Sequence, residues 1–154
     1  MARVKLAKNA GFCMGVRRAV DVALEASRKD AGPIYTYGPL IHNPQVLEIL
    51  EGKGVKVLNL EDIEKGFFSS PRGNSGTLII RAHGVSPQER RKIKETGVRI
   101  LNATCPHVGK VQGIINRHAK EGYTIVIVGE KDHAEVVGLL GYAQGRGYVI
   151  HSLR

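Results

Sequence analysis

Ile34-Tyr35-Thr36-Tyr37-Gly38-Pro39-Leu40-Ile41-His42-Asn43-Pro44 begins as a strand and ends on prolines that forbid helix until Asn43 has passed. A short helical stretch follows from Gln45 to Leu50. Gly52 and Gly54 break it, and Val55-Lys56-Val57-Leu58 reads as the next strand. Strand, turn, helix and strand in so little chain indicate a parallel crossover, which is right-handed in a sheet of this kind. Upstream, Val4-Lys5-Leu6-Ala7 reads as a strand and Asn9 to Gly15 as its loop. Val16, Ala19, Val20, Ala23 and Leu24 then form one stripe of a helix. Downstream, Thr77-Leu78-Ile79-Ile80 delivers Arg81-Ala82-His83-Gly84-Val85 to a helix opened by Ser86-Pro87 and closed by Gly97. The pattern continues with a strand at Val98 to Leu101, a turn at Ala103 to Pro106 and a helix from about Val108 to Lys120. A strand at Tyr123 to Val128, a helix at Ala134 to Leu140 and a last strand at Tyr148 to Ile150 follow.

The expected fold class is therefore α/β, built of repeated units of parallel sheet flanked by helices. Residues 1–97 form a first unit with Cys13, His42 and His83, and residues 98–154 a partial second unit with Cys105, His133 and Glu135. The second unit shows fewer strands than the first and is expected to be incomplete, leaving an apolar edge to be covered. Ser69 to Gly76 is rich in turn formers and reads as a surface loop without a function.

With 154 residues, of which 42% are hydrophobic, the chain can build one ordinary core or two small ones. No stretch approaches the roughly 20 apolar residues that span a bilayer, and Met1-Ala2-Arg3 runs into a strand without a secretion signal, so a cytoplasmic location is expected. A net charge of +9 welcomes an anionic partner. Aromatic residues are only 5% with no Trp, so a stacking platform for nucleic acid is poorly supplied. Charged runs such as Glu89-Arg90-Arg91-Lys92 read as solvated surface.

Two cysteines carry the strongest signal. Cys13 and Cys105 each stand where a strand-like run gives way to a helix-like one, and His42 and His133 follow them after twenty-nine and twenty-eight residues. Val16 aligns with Val108 and Arg18 with Lys110, which reads as an internal duplication. A thiol at a helix start meets unpaired amide N–H groups and the positive end of the dipole, a setting that suits a nucleophile or a metal ligand better than a disulfide. A nucleophile needs only one copy, so the pair favours metal. A 4Fe-4S cube needs more sulfurs than two, and Cys2His2 zinc lacks its short paired motif. His42, His83 and His133 lie beyond strand ends and together could hold a diphosphate through helix N-termini and imidazole N–H groups. Glu135, one helical step from His133, is a candidate proton donor. His107, His118 and His151 lack that pattern and read as surface or packing residues.

Gly11-Phe12-Cys13-Met14-Gly15-Val16-Arg17-Arg18-Ala19-Val20, Gly38-Pro39-Leu40-Ile41-His42-Asn43-Pro44, Arg81-Ala82-His83-Gly84-Val85 and Ala103-Thr104-Cys105-Pro106 strongly resemble the 4-hydroxy-3-methylbut-2-enyl diphosphate reductase family. The resemblance covers almost the whole chain. It implies an oxidoreductase of the last step of non-mevalonate isoprenoid synthesis, which turns an allylic alcohol diphosphate into isopentenyl and dimethylallyl diphosphates. It also implies three similar α/β units around a 4Fe-4S cluster held by three cysteines, two of them matched by Cys13 and Cys105. By the same resemblance His42, His83 and His133 are the diphosphate-binding histidines and Glu135 the acid that relays a proton to the leaving hydroxyl. Electrons are expected from ferredoxin or flavodoxin, with the basic surface as a docking face.

Two departures stand out. Ala134 occupies a position where the family usually has Pro, and the third cysteine with the downstream Thr and Ser/Asn residues has no counterpart before Arg154. The chain thus reads as roughly the first half of a typical member, with little activity alone and a possible separate carboxyl-terminal half as partner. A cysteine-dependent phosphatase is the alternative enzyme, although Arg17 and Arg18 follow Cys13 too closely for its loop. A basic RNA-binding module, motivated by charge alone, is the non-catalytic alternative.

Overall fold

The computed structural model describes residues 3–8, 10–68 and 76–152. The chain runs α1 (Met14–Lys29), β1 (Ile34–Tyr37), α2 (Pro44–Glu51), β2 (Val55–Leu58), α3 (Leu60–Glu64), β3 (Thr77–Ile80) and α4 (Pro87–Glu95). It continues with β4 (Arg99–Asn102), α5 (Pro106–Lys120), β5 (Ile125–Val128), α6 (Ala134–Leu140) and β6 (Gly147–Ile150). The first four strands make one parallel sheet in the order β2-β1-β3-β4, while β5 and β6 pair in parallel as a second sheet.

Every residue of β1 and β3 is buried, as expected for strands covered on both faces. Side-chain alternation sorts their residues between two cores. Ile34, Val55 and Ile79 point to the face covered by α1 and α2, where Ala19, Ala23 and Ala26 let α1 lie close to the sheet. Tyr35, Tyr37, Leu58, Leu78 and Ile80 point to the opposite face, against Ile63 of α3, Ile93 of α4 and Phe68. Asp30, just past α1, accepts hydrogen bonds from the Thr77 hydroxyl at 2.7 Å and from Arg99 at 2.7 Å. These tie the end of α1 to the starts of β3 and β4.

The first strand expected from the sequence is absent. Residues 3–7 carry no regular structure, and Val4 and Leu6 are 86% and 89% exposed. Alternating apolar residues mark a strand only if a neighbour supplies hydrogen bonds, and among the described residues none pairs with this segment. The fourth strand of the first sheet is instead β4, which runs in register with β3 from Thr77↔Arg99 to Ile80↔Asn102. At the level of strand pairing the change of sheet therefore falls after Asn102, not at Gly97. The division into two units remains a proposal. The turn-rich segment 69–75 lies outside the described residues.

The second sheet is covered on one face only. Ile115 of α5, Leu139 of α6 and Ala143 pack with Ile125 and Ile127. The other face exposes Val126, Val128 and Tyr148 at 55%, 74% and 65%.

Candidate functional site

In a parallel sheet the strand ends with free carbonyls share one edge, and the turns leaving them converge. Here those turns are held by backbone hydrogen bonds that extend the ladder beyond the strands. Ala82 N–H donates to Leu40 at 3.1 Å, Ala103 N–H to Ile80 at 3.0 Å, and Cys105 N–H to Ala82 at 2.9 Å. His42, His83 and Cys105 thus leave β1, β3 and β4 on one side.

Cys13 and Cys105 are the N-cap residues of α1 and α5, and neither side chain caps its helix, so both sulfurs are free for other bonds. The two helices start side by side. A Cβ on Gly15 would lie 2.5 Å from the Cys105 sulfur, so only glycine lets the first turn of α1, two residues beyond Cys13, approach it. Arg18 locks that approach, donating to the carbonyls of Thr104 at 3.2 Å and Asn102 at 3.0 Å. Arg18, so committed, is not free to line a phosphatase loop.

The three imidazoles meet. Ring centroids of His42 and His83 are 4.5 Å apart, of His42 and His133 5.2 Å, and of His83 and His133 5.4 Å. One ring nitrogen from each lies within 4.8 Å of the others. The routes differ from a uniform helix-start pattern. His133 is the N-cap of α6, His42 precedes the Asn43 N-cap of α2, and His83 sits in the turn after β3. Nδ1 of His133 accepts the Glu135 N–H at 3.2 Å, which leaves its Nε2 as the N–H donor. Burial first, then His42, His133 and Arg81, push the His83 pKa down from 6.5 to about 4. A neutral His83 still donates one hydrogen bond to an anion.

Two openings flank this cluster. Phe12, Val16, Ile41 and Ala82 wall a cleft of about 200 Å³, with His42, Asn43 and His83 as its polar side. A broader opening of about 660 Å³ joins His42 and His133 to Lys131, Asp132 and His151. His151 and Lys131 were not legible as site residues. Since β5 and β6 are parallel, however, their shared carboxyl edge was a signal that could have found both. His118 is a packing residue, with Nδ1 at 2.9 Å from the Ile114 carbonyl and its ring against Tyr123. Glu135 is half-buried in the first turn of α6 beside His133.

Fold and site together define an α/β protein of the strand-end ligand-binding class, with thiols and imidazoles on neighbouring turns. The chain belongs to the LytB protein family, whose sequence model matches residues 4–154. It is 42% identical over 152 residues to a 4-hydroxy-3-methylbut-2-enyl diphosphate reductase of Opitutus terrae, covering 97% of this chain and 53% of the relative. It is 47% identical over 150 residues to the protein of that name from Geobacter sulfurreducens, covering 97% and 49%. Among solved structures, the Plasmodium falciparum E-1-hydroxy-2-methyl-but-2-enyl-4-diphosphate reductase superposes with a TM-score of 0.82 at 33% identity, covering 95% of this chain and 43% of that one. A second, described as the terminal enzyme of the non-mevalonate pathway, gives 0.77 at 38% identity, covering 99% and 52%. The chain spans about half the length of the curated relatives it matches.

Proposed function

We propose that this chain is the amino-terminal part of a 4-hydroxy-3-methylbut-2-enyl diphosphate reductase and provides the diphosphate-binding side of its active site. The observation that carries this reading is the convergence of His42, His83 and His133 beside an apolar cleft, on the same sheet edge as Cys105. A short branched hydrocarbon fits walls of Phe12, Val16, Ile41 and Ala82, while its anionic tail takes N–H groups from the imidazoles. Glu135 would hand a proton to the departing hydroxyl, so that two electrons and two protons convert the alcohol to a hydrocarbon and water.

Cys13 and Cys105 fit two positions of a 4Fe-4S ligand set, because neither sulfur caps its helix and both border the first turn of α1. Bound there, the cluster would supply the electrons for the reduction. The chain has two cysteines in all, so the third thiolate would come from a carboxyl-terminal half, and the chain alone should turn over little substrate. Ferredoxin or flavodoxin would deliver the electrons to the basic surface. A reducing cytoplasm suits two free thiols.

Calorimetric titration with inorganic diphosphate tests the binding side directly. Binding should be measurable for the chain and lost in His42→Ala, and should survive replacement of both cysteines by serine. Unchanged affinity in His42→Ala would sink the reading. On the redox side, anaerobic loading with iron and sulfide should give substoichiometric, oxygen-sensitive iron, and full turnover by the chain alone would contradict an incomplete site.

A further inference from the structure

His133 has its ring orientation set by the Glu135 N–H, but His83 has no such anchor. Its Nδ1 is buried with no hydrogen-bond partner among the described residues, so no bond at that nitrogen fixes the ring. Orientation comes instead from packing against the His42 and His133 rings and from the turn that carries it, which Arg81 closes.

The Gly84 N–H donates to the Arg81 carbonyl at 3.0 Å, and the Arg81 Nε donates back to the Gly84 carbonyl at 3.4 Å. Backbone and side chain therefore close the same four residues, with His83 inside the loop. The guanidinium lies 5.6 Å from the centroid of the Tyr37 ring. It also rests against Gly38, where an added Cβ would fall 2.5 Å from Nη1 and where φ is +68°. Only glycine suits both the conformation and the space. Tyr37 is itself fixed. Its hydroxyl donates to Glu89 at 2.8 Å, and the other Glu89 oxygen accepts the Ser86 N–H at 2.8 Å in the capping box of α4. Burial and Glu89 push the Tyr37 hydroxyl's pKa up, which keeps it a donor. Among the described residues no carboxylate forms a direct ion pair with Arg81.

We propose that Arg81 is a positioning residue for anion capture: placed over the Tyr37 ring, seated against Gly38 and bonded to Gly84, it holds His83 toward the cleft and adds a positive charge near it. This rests on the reading of the three imidazoles as diphosphate donors. The rigid path runs from the α4 cap through Glu89, Tyr37 and Arg81 to the His83 turn. It makes the pocket's geometry depend on a residue that need not touch the ligand.

The test titrates the chain with inorganic diphosphate in wild type, Arg81→Gln, Arg81→Lys and His42→Ala, alongside thermal melts and nitrogen NMR of the imidazole rings. Arg81→Gln should weaken binding by about tenfold or more, with His83 ring signals shifted more than those of His42 or His133. Arg81→Lys keeps the charge but lacks the Nε that bonds the Gly84 carbonyl, so it should recover only part of the affinity and serves as the measurement if Arg81→Gln fails to fold. Wild-type affinity in either arginine variant, with binding lost in His42→Ala, overturns the role of Arg81 and leaves the proposed function standing. Wild-type affinity in His42→Ala as well removes both.

Discussion

His83 stays uncharged well into the acid range because burial first, and then His42, His133 and Arg81 beside it, hold its pKa at about 4, against 6.5 for a free imidazole. In the unfolded chain that imidazole takes up its proton near the ordinary value. Between those two pH values the unfolded state therefore binds more protons than the folded one, and stability falls as pH drops through that window. We expect the urea midpoint to decrease from about pH 7 to about pH 4.5, and His83→Asn to flatten part of that slope in denaturation curves taken across the range. A slope unchanged in the variant would place the acid sensitivity elsewhere. At this scale the sequence was informative where chemistry repeats. Cys13, Cys105, His42 and His133 stood out because two turns carry the same pair of residue types at nearly the same spacing. The support of those residues was invisible. Nothing in the sequence says that the Arg18 side chain reaches carbonyls 84 and 86 residues away, or that Gly15 faces a sulfur. Such contacts arise only when distant segments pack.

The elements were legible to the degree that local rules set them. β1, β2, β3 and α6 fall where the apolar runs and breakers place them, and Pro87 after Ser86 marks the start of α4 through its capping box. The misses have physical causes. Residues 4–7 have a strand's composition without a strand's neighbour, and composition cannot supply hydrogen bonds. α3 is only five residues long, too short to show a helical stripe, yet Asn59 and Asp62 form a reciprocal capping box whose residues the sequence does carry. β4 pairs with β3 of the first sheet, which chain order alone does not display, and the division of the chain at Gly97 remains a proposal. Packing energy sits chiefly at β1 and β3, and Ile79 is wholly buried under the alanine face of α1. Ile79→Ala should cost about 3 kcal/mol, measured by chemical denaturation, with the β1 and β3 turns loosening together. A cost below about 1 kcal/mol would mean that α1 closes over the gap.

For the whole molecule, the contrast between the two sheets is the main structural fact. The four-stranded sheet has helices on both faces. The β5-β6 pair has helices on one face and bare Val126, Val128 and Tyr148 on the other. A two-stranded sheet is marginal without further cover, and apolar surface of this kind is normally occupied. Among the described residues, no helix is long and apolar enough to cross a membrane. The reading that fits the relatives' length is cover by the remaining half of the family fold. Replacing Val128 with Lys should therefore raise the monomer fraction of the isolated chain in analytical ultracentrifugation. The same change should weaken complementation by a separately expressed carboxyl-terminal half. A variant that is no less self-associating and complements as well as wild type would show that this flank stays open in the assembled protein. The same bare flank bears on the protein's lifetime: molecules left waiting at high concentration will meet each other, apolar face to apolar face, before they meet anything else. Dilution and early mixing should then decide how much of a preparation remains usable.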